Sequence, residues 1–219
     1  MNRPRTLVSF TLATALVASS GPDVVDAHFR LLEPAPMLVD NERGDPQKAA
    51  PCGTAPDARP TGVIGKALGG SMLRLKVQET VYHPGHYRVA LAVNSVSELP
   101  PDPVTTERIT ERGPVSVWAV IQSPPQAPVI ADGLFQHYTR PAPPAPGGER
   151  TPVVFEADVP LPNVNCPKCI LQVVQFMAEH GYNQPGGYSY HHCAEIAITA
   201  DPAEPIDPRW PAPRAAAPD

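Results

Sequence analysis

Residues 71–77 (Ser-Met-Leu-Arg-Leu-Lys-Val) and 87–93 (Tyr-Arg-Val-Ala-Leu-Ala-Val) alternate apolar and polar side chains. Alternation with period two turns successive side chains to opposite faces of a sheet, so both stretches predict half-buried β-strands. Further strands are expected at residues 115–121, 151–159, 168–177 and 193–199. The segments between them, 98–104, 123–128 and 141–148, are dense in proline and glycine and cannot be strand interiors. Helix is confined to short turns. The pattern predicts an all-β fold, an immunoglobulin-like or fibronectin III-like β-sandwich with long Pro/Gly-rich loops.

Composition narrows this further. With 31 prolines in 219 residues, a helical bundle is excluded, because proline inside a helix removes a backbone donor and clashes with the preceding turn. Loops, turns and strand edges accept it. Hydrophobic residues make up 42% of the chain, enough for one core of ordinary domain size. The formal charge of -5 supplies no basic face for a phosphate backbone, so nucleic acid is not an expected partner.

The chain divides into three parts. Met1-Asn-Arg-Pro-Arg5 carries two positive charges and precedes an apolar run at 6–18. That run is too short to span a bilayer, and residues 1–27 read as a cleaved secretory signal peptide, with no membrane span anywhere in the chain. Val25-Asp-Ala27 offers a cleavage site that leaves His28 as the first residue; a cut after Ser19 or Ser20 is the alternative. The expected location is secreted or periplasmic. Residues 28–200 form the domain. Residues 201–219, with prolines at 202, 205, 208, 211, 213 and 218, read as a flexible tail.

Export makes disulfides the default for Cys52, Cys166, Cys169 and Cys193, with three pairings possible. Cys52 with Cys193 and Cys166 with Cys169 is preferred, because the first two flank segments that must converge at one end of the sandwich. A c-type haem needs histidine directly after the CxxC pair, and Ile170 stands there. Zinc held by Cys166, Cys169, His192 and Cys193 has the right ligand types, but adjacent strand residues His192 and Cys193 point to opposite faces. Thioredoxin-like chemistry requires a βαβ setting that this chain lacks.

Two stretches hold most of the remaining histidines. In Val81-Tyr-His-Pro-Gly-His-Tyr-Arg-Val89 a Pro-Gly turn lies between His83 and His86 and leads into a strand. In Gly187-Tyr-Ser-Tyr-His-His-Cys-Ala-Glu-Ile-Ala-Ile198 a glycine-rich turn enters the last strand. With His28 behind a signal peptide, and with Cys-Ile-Leu-Gln-Val-Val-Gln at 169–175, the order and rough spacing of these segments resemble the lytic polysaccharide monooxygenases.

That resemblance implies one copper ion in a histidine brace, with His28 binding through its terminal amine and its ring and His83 supplying the third nitrogen. His86 is the alternative to His83. The resemblance further places Tyr190 as the axial residue and Gln175 beside the reacting oxygen, both in catalytic roles. Three nitrogens in a T-shape suit tetragonal Cu(II). The activity implied is oxidative cleavage of glycosidic bonds in a chitin- or cellulose-like polysaccharide, by a monomer that takes electrons from an external donor. The open face of such a site is expected to point to solvent. Sugar stacking uses exposed aromatic rings, for which Tyr82 and Tyr188 are candidates beside Tyr182 and Trp118. The second reading is a copper-binding or copper-handling protein with the same fold and brace and no sugar chemistry. The third is a metal-free adhesion module.

Overall fold

The computed structural model describes residues 28–139 and 152–212. The expected signal peptide at 1–27, the whole of the 141–148 loop and residues 213–219 lie outside them. The described chain is almost wholly β. Its strands are β1 (His28–Glu33), β2 (Ile64–Leu68), β3 (Met72–Val81), β4 (Gly85–Ala92), β5 (Thr105–Thr110), β6 (Gly113–Ala119), β7 (Val129–His137), β8 (Val153–Pro160), β9 (Cys166–Met177) and β10 (Ser189–Thr199). The one helical element among the described residues is a 3-10 turn at Val96–Glu98. None of their helices is long and apolar enough to cross a membrane.

A three-stranded sheet in the order β1-β3-β8 faces a five-stranded sheet in the order β2-β10-β9-β4-β7, and β5 and β6 form a separate two-stranded ribbon. All pairs are antiparallel except β2 with β10. The two-residue period sets the sandwich core. Leu75 and Val77 of β3 and Phe29 and Leu31 of β1 meet Val89 and Leu91 of β4, Leu171 and Val173 of β9, and Ala194 and Ile196 of β10 in one buried cluster.

The inward phase continues to the end of each strand that lies nearest His28. There the apolar residues give way to Glu79 on β3, Tyr87 on β4, Gln175 on β9 and Tyr190 on β10, each with a fully or almost fully buried side chain. Polar chemistry is thus gathered at one end of an otherwise apolar interlayer.

The segment expected to be a flexible tail is docked as far as Ala212. Asn163 donates through Nδ2 to the carbonyls of Asp201, Glu204 and Pro205, at 3.1, 2.9 and 3.1 Å. Trp210 is buried in the core cluster and its indole N–H donates to the Leu91 carbonyl at 3.3 Å. Proline density concealed this anchor, because one buried aromatic ring outweighs the spacing of the prolines around it.

Candidate functional site

His28 opens β1, opposite Val81 at the end of β3. The strands run antiparallel, so the backbone nitrogen of His28 lies at the end of β3 from which the chain continues, within two residues, to His83. The pairing register slips between His28 and Phe29, and with that shift both rings reach the interlayer. Phe29 packs edge-on against Tyr87 and His192, and His28 edge-on against Tyr190 with ring centroids 5.4 Å apart.

Three groups fix the backbone behind His28. The Phe29 N–H donates to Gln47 Oε1 at 3.0 Å, and His192 Nε2 donates to the Phe29 carbonyl at 3.0 Å. Burial pushes the His192 imidazole down to about pKa 4, so it makes that bond as the neutral ring. Gly44, at φ +103°, lies so close that a Cβ there would stand 1.9 Å from the Phe29 carbonyl oxygen; only glycine fits.

His83 stands in the turn between β3 and β4. Its Nδ1 donates to the Pro84 carbonyl at 3.3 Å, which leaves Nε2 as the ring's lone-pair nitrogen. On His28 the arrangement is reversed, since Nε2 faces Asp45 Oδ2 at 3.4 Å. A carboxylate beside one ring nitrogen draws the N–H to that edge and leaves Nδ1 as the basic one. A terminal amine can close a six-membered chelate only with Nδ1 of its own histidine. The two tautomers are therefore those that a brace from His28 and His83 needs. In the full-length chain Ala27 precedes His28, so its nitrogen is still a peptide amide.

His86, the alternative ligand, faces the other way. Tyr87 takes the inward phase, and His86 lies on the outer face of the five-stranded sheet. There its ring packs on Phe176 at 5.2 Å, its Nδ1 meets Tyr138 Oη at 3.3 Å and its Nε2 lies 3.9 Å from Asp132. Burial, with the charges of Arg88 and His137, lowers its pKa against the pull of Asp132.

Tyr190 and Gln175 are cross-strand neighbours on β10 and β9. The ring that completes the group is His180, which the sequence pattern did not single out. It lies 4.8 Å from the His83 ring and 6.4 Å from the Tyr190 ring, so His28, Tyr190, His180 and His83 form a continuous run of contacts. Ser116 of β6 holds the His180 segment: its hydroxyl donates to the Met177 carbonyl at 2.6 Å, and its backbone exchanges bonds with His180 and Glu179. Nothing in the loop around His180 has a period that would have marked it.

Burial bears on two expectations. His28 and His83 each retain only 2% of their surface in the chain that still carries residues 1–27, with Asp45 against one and His180 against the other; the open face was expected of the chain that begins at His28. Tyr82 and Tyr188 are also buried and cannot lie against a sugar: Tyr82 packs on His137, and Tyr188 joins a small cluster with Ala119, Phe176 and Ala178. Among the described residues the exposed aromatic rings are Trp118 and Tyr138, each at 49%, and Tyr182, at 53%; Trp118 is on β6, Tyr182 on the loop that bridges to it at Val115 and Gly181, and Tyr138 directly after β7.

The cysteines form Cys52–Cys193 and Cys166–Cys169 disulfides, so none remains to bind zinc, and His192 serves Phe29 instead. Among the described residues no three His, Cys, Asp or Glu side chains form a metal cluster; a brace needs only two imidazoles, its third donor being an amine. The donor set fits copper, which favours imidazole and amine nitrogens in tetragonal arrangement. Gln175 Oε1 is buried and accepts no hydrogen bond from the described residues, an acceptor suited to a hydrogen-bearing group bound beside Tyr190. In sequence comparison no protein-family model and no curated relative matches this chain.

Proposed function

We propose that this chain is exported and, once residues 1–27 are removed, would hold one copper ion through the His28 amine, His28 Nδ1 and His83 Nε2, with Tyr190 beside the His28 ring. The reading that fits best is a polysaccharide monooxygenase-like enzyme. One observation carries it: the His28 and His83 rings present opposite nitrogens, each with its other ring nitrogen turned to an oxygen acceptor, in the combination that a brace demands. Bound copper would supply the redox chemistry that splits a glycosidic bond, with electrons from an external donor. The protein's own part is positional. Phe29, clamped by Gln47 and His192, fixes the His28 backbone. Tyr190 limits access from one side, and Gln175 presents an acceptor. Trp118, Tyr138 and Tyr182 are the exposed rings among the described residues that a polysaccharide could meet.

A copper-handling protein without sugar chemistry is the second reading, favoured by the burial of Tyr82 and Tyr188. The experiment begins with N-terminal sequencing of the exported protein, expected to start at His28; a start elsewhere overturns both readings. Cu(II) titration with electron paramagnetic resonance should then give one tight site, abolished by His28→Ala and by His83→Ala. Tight binding retained in either variant rejects the brace. Mass spectrometry of products from chitin and cellulose with a reductant separates the two readings, because oxidised oligosaccharides are expected only from the enzyme.

A further inference from the structure

Glu79 is the inward residue of β3 that follows Leu75 and Val77, and it is almost completely buried. Three donors converge on its Oε1: the Tyr87 hydroxyl at 3.2 Å, His137 Nε2 at 2.8 Å and Gln175 Nε2 at 2.5 Å. A carboxyl so deep in an apolar interlayer is costly unless it is satisfied, and one bearing several hydrogen bonds holds its partners in fixed orientations.

Two of those partners lead to the candidate copper site. A carboxylate can only accept, so the end of the Gln175 amide that meets Glu79 must be its nitrogen. The carbonyl oxygen is thereby left for whatever binds beside Tyr190, the cross-strand neighbour. The second partner, His137, uses Nε2 for Glu79 and Nδ1 for the Phe135 carbonyl. His137 also lies opposite Gly85 in the pairing of β4 with β7, and its ring packs on Tyr82 at 5.5 Å, so it touches the turn on both sides of His83-Pro84. One carboxyl therefore sets the orientation of Gln175 and, through His137, ties down the turn that carries His83.

We propose that Glu79 is the positioning residue of the copper site, acting on Gln175 directly and on His83 through His137. This rests on the brace reading above. Replacing it by glutamine keeps the shape and removes the pure acceptor, so the Gln175 amide can turn either way and His137 loses its anionic partner.

The test uses the mature protein beginning at His28, with Cu(II) alone as the probe. Wild type and Glu79→Gln are titrated in competition with a chelator, their Cu(II) electron paramagnetic resonance spectra are recorded, and melting is measured with and without copper. Loss of an outer partner of a metal ligand weakens binding by about 10- to 100-fold, and that loss, with an altered spectrum and a smaller copper-induced rise in Tm, is the expected result. Tyr87→Phe removes one of the three bonds to Glu79 while keeping the ring and the bonds to Gln175 and His137, and should leave affinity and spectrum unchanged. If Glu79→Gln lowers the Tm of the apo protein yet binds copper with wild-type affinity and spectrum, Glu79 is merely structural and the proposal is overturned. If Glu79→Gln does not fold, His137→Gln, which keeps an N–H for Glu79 and gives up the Phe135 carbonyl bond and the ring contact with Tyr82, is judged by the same criteria. Failure of the wild-type mature protein to bind copper rejects the brace reading itself, an outcome distinct from a silent Glu79 variant.

Discussion

His86 and His192 lie on opposite faces of the five-stranded sheet, and burial lowers the pKa of both. In the unfolded chain each titrates near pH 6.5. Below that pH the unfolded state binds protons that the native state refuses, so stability is full above about pH 6.5 and declines as the pH falls through it. For His192 the decline continues to its folded value of about 4. Melting temperature is therefore expected to hold near neutrality and drop between pH 6.5 and 4, with a shallower drop in His86→Gln. An unchanged slope in that variant would remove His86 from the account. At this scale the sequence marked His28, His83, Gln175 and Tyr190. Glu79 carried a readable signal, a charged residue in the apolar phase of β3. Asp45, His137 and His180 carried none, because they come from loops or a bulged strand and reach the site only through folding.

The turn His83-Pro84-Gly85-His86 is the element on which the site depends. A Cβ on Gly85 would lie 1.9 Å from the Phe176 carbonyl oxygen, so β4 can meet β9 here only without a side chain. Gly85→Ala should cost about 1–3 kcal/mol in backbone strain and displace His83. Urea unfolding and Cu(II) titration would record both effects, and an alanine variant with unchanged midpoint and affinity would contradict this role. The strands read from alternation, 71–77 and 87–93, lie largely within β3 and β4, with residue 71 and Val93 falling just outside. Four others escaped. Register shifts in the pairing of β7 with β4 break the two-residue period, β5 is exposed along most of its length, and β1 and β2 are short.

Across the whole molecule, the two disulfides close loops of very different size. Cys52 and Cys193 are 141 residues apart, whereas Cys166 and Cys169 are three apart. By the chain-entropy relation the long closure stabilises by about 5 kcal/mol and the short one by about 2 kcal/mol. Paired Cys→Ala variants should therefore differ in chemical denaturation, with Cys52→Ala/Cys193→Ala the less stable; equal midpoints would refute the ranking. The long bridge also ties the loop that contains Gln47 and Asp45 to β10, and so the neighbours of His28 to those of Tyr190.

By itself the sequence determined the all-β class, the apolar interlayer and the residues able to bind a metal, because periodicity and residue chemistry are local. Only the tertiary structure set His83 and His86 apart, with His86 on the outer face of the five-stranded sheet. Adjacent residues of a strand face opposite sides of its sheet, so placing Tyr87 in the core sends His86 outward. It also brought in Glu79, His137 and His180 and buried Tyr82 and Tyr188. Which side chains meet across two sheets depends on register and bulges, and these are set by long-range pairing that no single stretch of the chain records.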